Sequence, residues 1–343
     1  MEKNTRVKAR VKAHALKEFM NTKEKVVVMG HRLPDADSFG AAIGIYRAAK
    51  TLNKKAYIVI DNPTSSIIPL MNTFRDDQDY EADMFVNNHE AKEIMDDNTL
   101  LVVVDTNKPS ITQCEDLLYM AKMIVVLDHH RQGSDTIRNS VLSYIEPYAS
   151  SASEMVAEIL QYFTEGIRIR NVEADSIYAG IMIDTDNFMQ KTGVRTFEAA
   201  AFLRRCGADV TRVRKLFRED MNDYKARGET IRNAELFRGQ FAISECPSDY
   251  VDSPTVVGAQ AANELLNIVG VKASFVLTEY KGVIYISARA IDEVNVQIIM
   301  ERMGGGGHLN MAGCQLETVD LEGARSLLKV NLNRNAGWRR NLI

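Results

Sequence analysis

The stretch VVVMGHRLPDAD, residues 26–37, carries a β-branched apolar run with a histidine and two carboxylates directly behind it. Similar polar residues follow the apolar runs of LLVVVD (100–105), MIVVLDHH (123–130) and IYAGIMID (177–184). Short β-branched runs are typical of buried parallel strands, and open α/β sheets bind ligands outside the carboxyl ends of such strands. The sequence therefore predicts that the polar residues converge on one site. They are His31, Asp35, Asp37, Asp105, Asp128, His129, His130 and Asp184.

The charge of this set predicts a metal. Its five carboxylates would repel one another in a crevice unless a cation lay among them. Carboxylate and imidazole ligands without cysteine favour Mn²⁺, with Fe²⁺, Co²⁺, Zn²⁺ and Mg²⁺ as alternatives. The number of ligands favours two ions, and Asp105 is the candidate to bridge them. A hydroxide held between the two ions would then attack phosphorus.

Bulk composition narrows the class of protein. With 343 residues, of which 45% are hydrophobic, the chain can form two domains. A net charge of −4 argues against a protein that coats long nucleic acid. The four cysteines are widely spaced, and no apolar run approaches the roughly 20 residues that span a bilayer. We therefore expect a soluble cytoplasmic chain.

The order of the patterns predicts the domains. Residues 1–20 form a basic helix that packs on the first domain, with a membrane-surface or nucleic-acid role as the alternative. Strand and helix patterns alternate through 21–210, as in βαβ units, which predicts a mostly parallel sheet. A connecting helix over 211–238 and a smaller α/β domain over 239–343 follow. Residues 62–82 match no motif and are expected to form a lid or a surface loop.

These motifs, followed by the run Gly304 to Gly307 and His308, resemble in order and spacing those of the DHH phosphoesterases with their DHH-associated C-terminal domain. Phrases such as GHRLPDADSFGAAIGI, LLVVVDTNKPS and IEPYASSASEM are most similar to the catalytic half of bacterial cyclic di-AMP phosphodiesterases. The resemblance implies an α/β fold of two domains, a mostly parallel-sheet DHH domain and a smaller substrate-binding domain, with the active site in the cleft between them.

The resemblance also implies the role of each site residue. One metal ion is assigned to His31, Asp35 and Asp105. The second ion is assigned to Asp37, Asp105, His129 and Asp184. Catalytic positions are His130, which faces the substrate phosphate, and Asp128, which orients a ligand imidazole. Substrate-binding positions are Arg289, Gly305, Gly306, Gly307 and His308, where the glycine amides form a nest for a phosphate.

The activity that follows from the resemblance is hydrolysis of cyclic di-AMP to the linear dinucleotide pApA. A nanoRNase or pAp phosphatase, which acts on very short oligonucleotides, is the alternative that the metal ligands leave open. A family II inorganic pyrophosphatase and a RecJ-type exonuclease fit less well, because the first lacks the glycine–histidine loop and the second needs further domains. A non-catalytic cyclic-dinucleotide sensor would require degenerate metal ligands, and the ligands are intact here.

The resemblance makes three further predictions about the setting of the chain. Its partner is a cyclic or short linear dinucleotide rather than long nucleic acid or, for this chain alone, a membrane. A homodimer is compatible with it. The chain is expected to be the catalytic module of a longer, membrane-anchored parent whose module faces the cytoplasm, or else a naturally short relative.

Overall fold

The computed structural model describes residues 2–75, 77–218, 220–291 and 294–335. The chain divides into two compact units, residues 1–218 and 219–343. Each unit is built of helices around a six-stranded sheet, and the first sheet is entirely parallel. The predicted α/β class and the two domains are therefore confirmed.

The first unit begins with a long helix and then alternates strands with helices. Its elements are α1 (Glu2–Asn21), β1 (Lys25–Met29), α2 (Ala36–Thr51), β2 (Lys55–Val59), α3 (Ile68–Arg75), β3 (Phe85–Val86), α4 (Asn88–Ile94), β4 (Thr99–Val104), α5 (Asp116–Met120), β5 (Ile124–Asp128), β6 (Leu142–Ile145), α6 (Ala152–Phe163), α7 (Asn171–Asp184), α8 (Val194–Arg205) and α9 (Val210–Leu216). A short 3₁₀ helix, Pro109–Ile111, lies between β4 and α5.

The strand order of this sheet is β3-β2-β1-β4-β5-β6, so the direction of winding reverses between β1 and β4. The apolar runs are buried on both faces because the helices cover both. Val26 and Val28 pack with α2 and α6, whereas Val27 and Met29 face the side of α4 and α5. The reversal opens a crevice beyond the carboxyl ends of β1 and β4.

The segment 62–82 differs from its prediction. Its helix α3 buries Leu70 and Phe74, because these residues recur on one face of the helix. Behind it, the hydroxyl of Tyr46 in α2 donates to Glu81 at 2.6 Å, and that of Tyr80 donates to the buried Glu173 of α7 at 3.0 Å. The expectation of a lid or surface loop is therefore wrong for the helix and for the two anchored residues.

Helix α1 packs on the first unit, as expected for residues 1–20, although Val7 and Val11 are exposed. Ala9, Ala13 and Leu16 are buried, and the helix contacts α6 and β6. The ammonium of Lys12 donates to the carbonyl of Ser143 in β6 at 2.9 Å. Among the described residues, no helix combines the length and the apolar character needed to cross a membrane.

The second unit has a mixed sheet. Its elements are α10 (Met221–Arg232), β7 (Glu235–Phe237), β8 (Phe241–Cys246), α11 (Pro254–Leu265), β9 (Ala273–Tyr280), β10 (Val283–Ala290), α12 (Val296–Glu301), β11 (Gly306–His308), β12 (Met311–Leu316) and α13 (Leu321–Asn335). The strand order is β11-β12-β10-β9-β8-β7, in which only β8 and β9 run parallel. The single connecting helix expected over 211–238 is wrong, since α9 ends and α10 begins within that range and β7 follows.

Candidate metal centre

The loop after β1 places two acids at the start of α2. Asp35 is the N-cap of this helix and accepts a hydrogen bond from the Ser38 amide at 2.9 Å, and Asp37 lies in the first turn. A Cβ on Gly30 would come within 1.8 Å of the Ser38 hydroxyl, so the absence of a side chain at Gly30 lets Ser38 pack against this turn. His31 lies 3.5 Å from Asp35, measured from Nε2 to Oδ2. Asp35 therefore both caps α2 and lies beside His31.

Asp105 lies at the centre of the candidate site. It leaves β4 with a φ of 57°, a left-handed conformation that is uncommon for a residue with a side chain and that concentrates at functional sites. Its Oδ2 lies 3.2 Å from Nε2 of His31, and its Oδ1 lies 3.4 Å from Nε2 of His129. Oδ1 is buried and accepts no hydrogen bond of good geometry from the described residues, which is costly for a carboxylate unless a cation satisfies it.

Asp37 is held by the beginning of α6. Its two carboxylate oxygens accept hydrogen bonds from the amides of Ala152 at 2.7 Å and Ser153 at 2.8 Å, and the Ser153 hydroxyl donates to its carbonyl at 3.0 Å. The carboxylate is thereby directed by a helix N-terminus. Gly180 of α7 permits this packing, because a Cβ there would lie 2.2 Å from the Ser153 hydroxyl. The neighbouring Ser151 is the N-cap of α6.

Asp184 reaches the site from a helix. The sequence grouped it with the strand ends, but it is the last residue of α7, so that part of the prediction is wrong. The run IYAGIMI is apolar because α7 is buried on nearly all sides, which periodicity alone does not distinguish from a buried strand. Asp184 Oδ2 nevertheless lies 3.6 Å from His129 Nε2.

Asp128 is fully buried and contacts the second histidine of the pair. Its Oδ1 accepts from Nδ1 of His130 at 2.8 Å and from the amide of His130 at 3.0 Å. Its other oxygen accepts from the side chain of the buried Asn107. The imidazole that Asp128 orients is therefore that of His130, not that of the predicted ligand His129. Sequence reasoning missed Asn107, whose only signal was its place two residues after Asp105.

The pKa values of two acids and two histidines in the site are raised, because several carboxylates lie close together in a buried place. Burial, reinforced by Asp105 and Asp184, raises the pKa of Asp37 well above its usual range, and burial raises the pKa of Asp184 to about 6. Burial by itself would lower the pKa of His31, but hydrogen bonds to Asp105 and Asp35 outweigh it and raise the pKa to about 10. Burial by itself would also lower the pKa of His129, but the nearby carboxylates of Asp105, Asp37 and Asp184 outweigh it and raise the pKa to about 9. The site therefore favours bound positive charge.

Three groups of side chains in the described part of the chain could hold a metal ion, with ligand atoms within 4.8 Å of one another. They are His31–Asp35–Asp105, Asp37–His129–Asp184 and Asp105–His129–His130. Asp105 belongs to two of these groups. The carboxylate oxygens and imidazole nitrogens of these groups, among them the buried Oδ1 of Asp105, are ligands that fit a hard divalent cation.

The predicted substrate residues of the second unit lie on its sheet. Gly306 to His308 form the edge strand β11, paired antiparallel with β12, so these glycines make an extended strand and not the expected nest. Gly307 has a φ of 147°, and a Cβ there would approach Ala312 to 2.5 Å, so the close strand pairing requires glycine. Arg289 of β10 donates from Nε to Asn263 at 2.9 Å. His308 and Arg289 are both register partners of Met311.

The sequence matches the DHH family, N-terminal domain, over residues 25–181, and the DHHA1 domain over residues 241–333. The chain belongs to the DHH family. These matches confirm the resemblance drawn from the motifs. They also assign the parallel-sheet unit to the DHH domain and the mixed sheet to the DHHA1 domain.

Known proteins similar to this DHH chain fall into two groups by identity. The cyclic-di-AMP phosphodiesterase GdpP of Bacillus subtilis is 44% identical over 335 residues, which cover 96% of this chain and 50% of GdpP. The chain thus spans about half the length of that relative. The bifunctional oligoribonuclease and PAP phosphatase NrnA of Thermus thermophilus is 25% identical over 306 residues, covering 87% of this chain and 86% of NrnA.

A solved structure shows the same fold. An exopolyphosphatase-related protein from Bacteroides fragilis superimposes with a TM-score of 0.78 at 20% sequence identity, over 94% of this DHH chain and 96% of that chain. At this identity the likeness shows the architecture alone.

Proposed function

We propose that this DHH protein is a metal-dependent phosphodiesterase that hydrolyses cyclic di-AMP to pApA. The observation that carries the proposal is Asp105, a buried carboxylate shared by two groups of potential metal ligands, with one oxygen that accepts no hydrogen bond from the described residues. The substrate is proposed because the relative with 44% identity is named a cyclic-di-AMP phosphodiesterase.

We propose that the centre holds two divalent ions, with Mn²⁺ favoured and Fe²⁺, Co²⁺ or Mg²⁺ as alternatives. When bound, such ions neutralise the charge of a phosphodiester and lower the pKa of an attacking water. One ion is assigned to His31, Asp35 and Asp105. The other is assigned to Asp37, Asp105, His129 and Asp184.

The chain itself supplies rigidity around these ligands. The α6 amides hold the Asp37 carboxylate in one orientation, so it needs little rearrangement to act as a ligand. The Nδ1 atom of His130 is engaged by Asp128, which leaves Nε2 as the nitrogen available to the substrate. The His130 side chain is 56% exposed, as a group that meets a substrate must be. We therefore assign His130 to the phosphate and Asp128 to its orientation.

In the DHHA1 domain we assign substrate binding to Arg289 and to the edge strand with His308. A guanidinium offers paired donors for a phosphate, and an extended glycine strand leaves backbone amides unobstructed by side chains. The neighbouring glycines of this proposed phosphate site are Gly305, Gly306 and Gly307.

The nanoRNase and pAp phosphatase activity is the second candidate, favoured by the similarity to NrnA along most of both chains. The lower identity, 25% against 44% for GdpP, makes it the weaker one. We further propose that the protein acts in the cytoplasm, where nucleotide second messengers occur and where its four unpaired cysteines would stay reduced. Homodimerisation stays a prediction, which sedimentation of the purified chain would test.

Product analysis with Mn²⁺ tests the function. Cyclic di-AMP, cyclic di-GMP, pApA and pAp are offered in parallel to the wild-type chain and to Asp105→Asn. Opening of cyclic di-AMP to pApA in preference to the other substrates, lost in the variant, would support the proposal. Consumption of pApA or pAp with cyclic di-AMP intact would establish the second candidate in its place.

A further inference from the structure

The sheet of the DHHA1 domain has one face that its helices cover only in part. Ile284, Ile286 and Ala288 of β10 are buried in the core formed with α12 and α13. The alternating residues Tyr285 and Ser287 are half-buried on the opposite face. A groove of about 400 Å³ lies there, and we call it the β10 groove. The residues that line it are Thr255, Tyr285, Ile286, Ser287, Gly304, Gly305, Gly313, Cys314 and Gln315.

The shape of the β10 groove suits a flat ligand. Gly313 is the register partner of both Ser287 and Gly306, so the middle of the floor has no side chain. A Cβ on Gly305 would lie 2.1 Å from the Gly313 carbonyl oxygen, so the glycine run packs this closely on β12 only because Gly305 has no side chain. The Tyr285 ring stands beside it as the one aromatic group of the lining.

The chemistry of the β10 groove is polar but uncharged. Among the described residues that line it, only Tyr285 and Cys314 have an ionisable side chain, so the groove does not select a free ion. Gln315 is the register partner of Tyr285 and places a carboxamide at the same end of the groove. Within the described residues, the side chains of Tyr285, Ser287 and Gln315 have no hydrogen-bond partner, which leaves their polar groups available. An aromatic ring beside unpaired donors and acceptors is suited to a nucleobase.

The position of the β10 groove connects it to the proposed phosphate residues. Arg289 lies two residues beyond Ser287 on the same face of β10, a distance of about 7 Å along a strand. The phosphate-binding groups would thus lie at one end of the groove and the nucleobase-binding groups at the other.

We propose that the β10 groove binds the adenosine part of a nucleotide, with the base stacked on Tyr285 and its edge paired with Gln315. The inference rests on the proposed function and deepens it by naming the residues that select the base. A glutamine carboxamide can donate to N7 and accept from N6 of adenine, whereas guanine presents two acceptors at the equivalent edge. The groove therefore favours adenine over guanine.

Nucleotide binding to the full chain in EDTA tests the groove without hydrolysis. AMP, GMP and ribose 5-phosphate are titrated against the wild type, Tyr285→Ala, Tyr285→Phe and Gln315→Ala. Stacking on an aromatic ring contributes about 1–3 kcal/mol, so Tyr285→Ala should weaken AMP binding about tenfold, and Tyr285→Phe should retain it. Gln315→Ala should reduce the preference for AMP over GMP. Tyr280→Ala, at the end of β9 and outside the groove, is the matched control and should bind as the wild type does.

The proposal is overturned if the wild type does not bind AMP more tightly than ribose 5-phosphate, or if neither Tyr285→Ala nor Gln315→Ala changes AMP binding. Thermal melting identifies a misfolded Tyr285→Ala chain, in which case the exposed Gln315→Ala variant decides. Cyclic di-AMP hydrolysis, measured in parallel, separates the two claims. AMP binding through Tyr285 without hydrolysis would reject the proposed function alone, and hydrolysis with unchanged binding in both variants would reject the groove alone.

Discussion

The two sheets of this protein present polar residues in opposite ways. In the parallel-sheet unit, Asp37, Asp105 and Asp128 are at most 2% exposed. Asp37 and Asp128 accept hydrogen bonds from amides, an imidazole and an asparagine, and Asp105 lies beside the imidazoles of His31 and His129. In the mixed sheet, Arg289 is half-buried and the side chain of His308 is exposed. A buried charge is stable only with fixed partners, whereas an exposed polar group is solvated by water until a ligand binds. The first region is thus built to hold ions, and the second is suited to hold substrate.

Asp105→Asn is the variant with the largest expected effect, and it tests the first half of this comparison, whether the first sheet holds metal ions. The substitution keeps the shape of the side chain but removes the charge shared by two ligand groups, so we expect activity to fall at least about 100-fold. Calorimetry should show weaker Mn²⁺ binding in the same variant. Asp186→Asn changes an acid beside the site whose side chain bonds the nearby Gln190, and it should leave both quantities close to wild type. Full activity in Asp105→Asn would remove the basis for a shared carboxylate.

Arg289→Ala tests the second half. Loss of a charge-assisted phosphate contact should lower kcat/KM about 10- to 100-fold, chiefly through KM, with Mn²⁺ binding unchanged. Arg325→Ala in α13, which removes ion pairs to Glu235 and Glu245, is the control for a lost arginine in the same domain. A fall in Mn²⁺ affinity in Arg289→Ala would contradict the assignment of metal binding to the first sheet and substrate binding to the second.

The pH dependence of metal binding sharpens the account of the first sheet. Raised pKa values of about 10 for His31 and about 9 for His129 mean that both imidazoles carry protons at pH 7 without metal. A metal ligand must be neutral imidazole, so binding should release protons and the affinity should rise with pH, about tenfold per unit for each proton released. Calorimetry in two buffers of different ionisation enthalpy would count these protons. An affinity that did not change between pH 7 and pH 8 would contradict the prediction.

Ser153→Ala gives the smallest expected effect. It removes the hydroxyl that donates to the Asp37 carbonyl and keeps the amide that holds the carboxylate. We expect Mn²⁺ affinity to fall several-fold, towards the lower end of the roughly 10- to 100-fold cost of losing a group that supports a ligand. Ser66→Ala, at an exposed position, is the control. Equal affinities in the two variants would show that the α6 amides suffice.

The local sequence pattern was enough to predict many of the strands and the candidate metal ligands. The apolar and β-branched runs at 99–104, 273–280, 283–290 and 311–316 by themselves predict strands, and the structure has β4, β9, β10 and β12 over the same residues. The metal-ligand candidates could be chosen from the sequence because acids and histidines directly follow such runs. The same reasoning failed for Asp184, since a helix buried on all sides has the composition of a buried strand, and for the short β3 and β6, which carry too few residues to show a period.

The sequence by itself determined which residues could form a metal centre and which strands could bring them together, because side-chain chemistry and periodicity are local properties. Only the tertiary structure decided how those residues are held. Asp37 and the amides of Ala152 and Ser153 are separated by 115 and 116 residues along the chain. The link between Asp128 and Asn107 joins two strand ends, and the glycine run is extended because β12 pairs with it. These contacts depend on packing between distant segments, which no local pattern specifies.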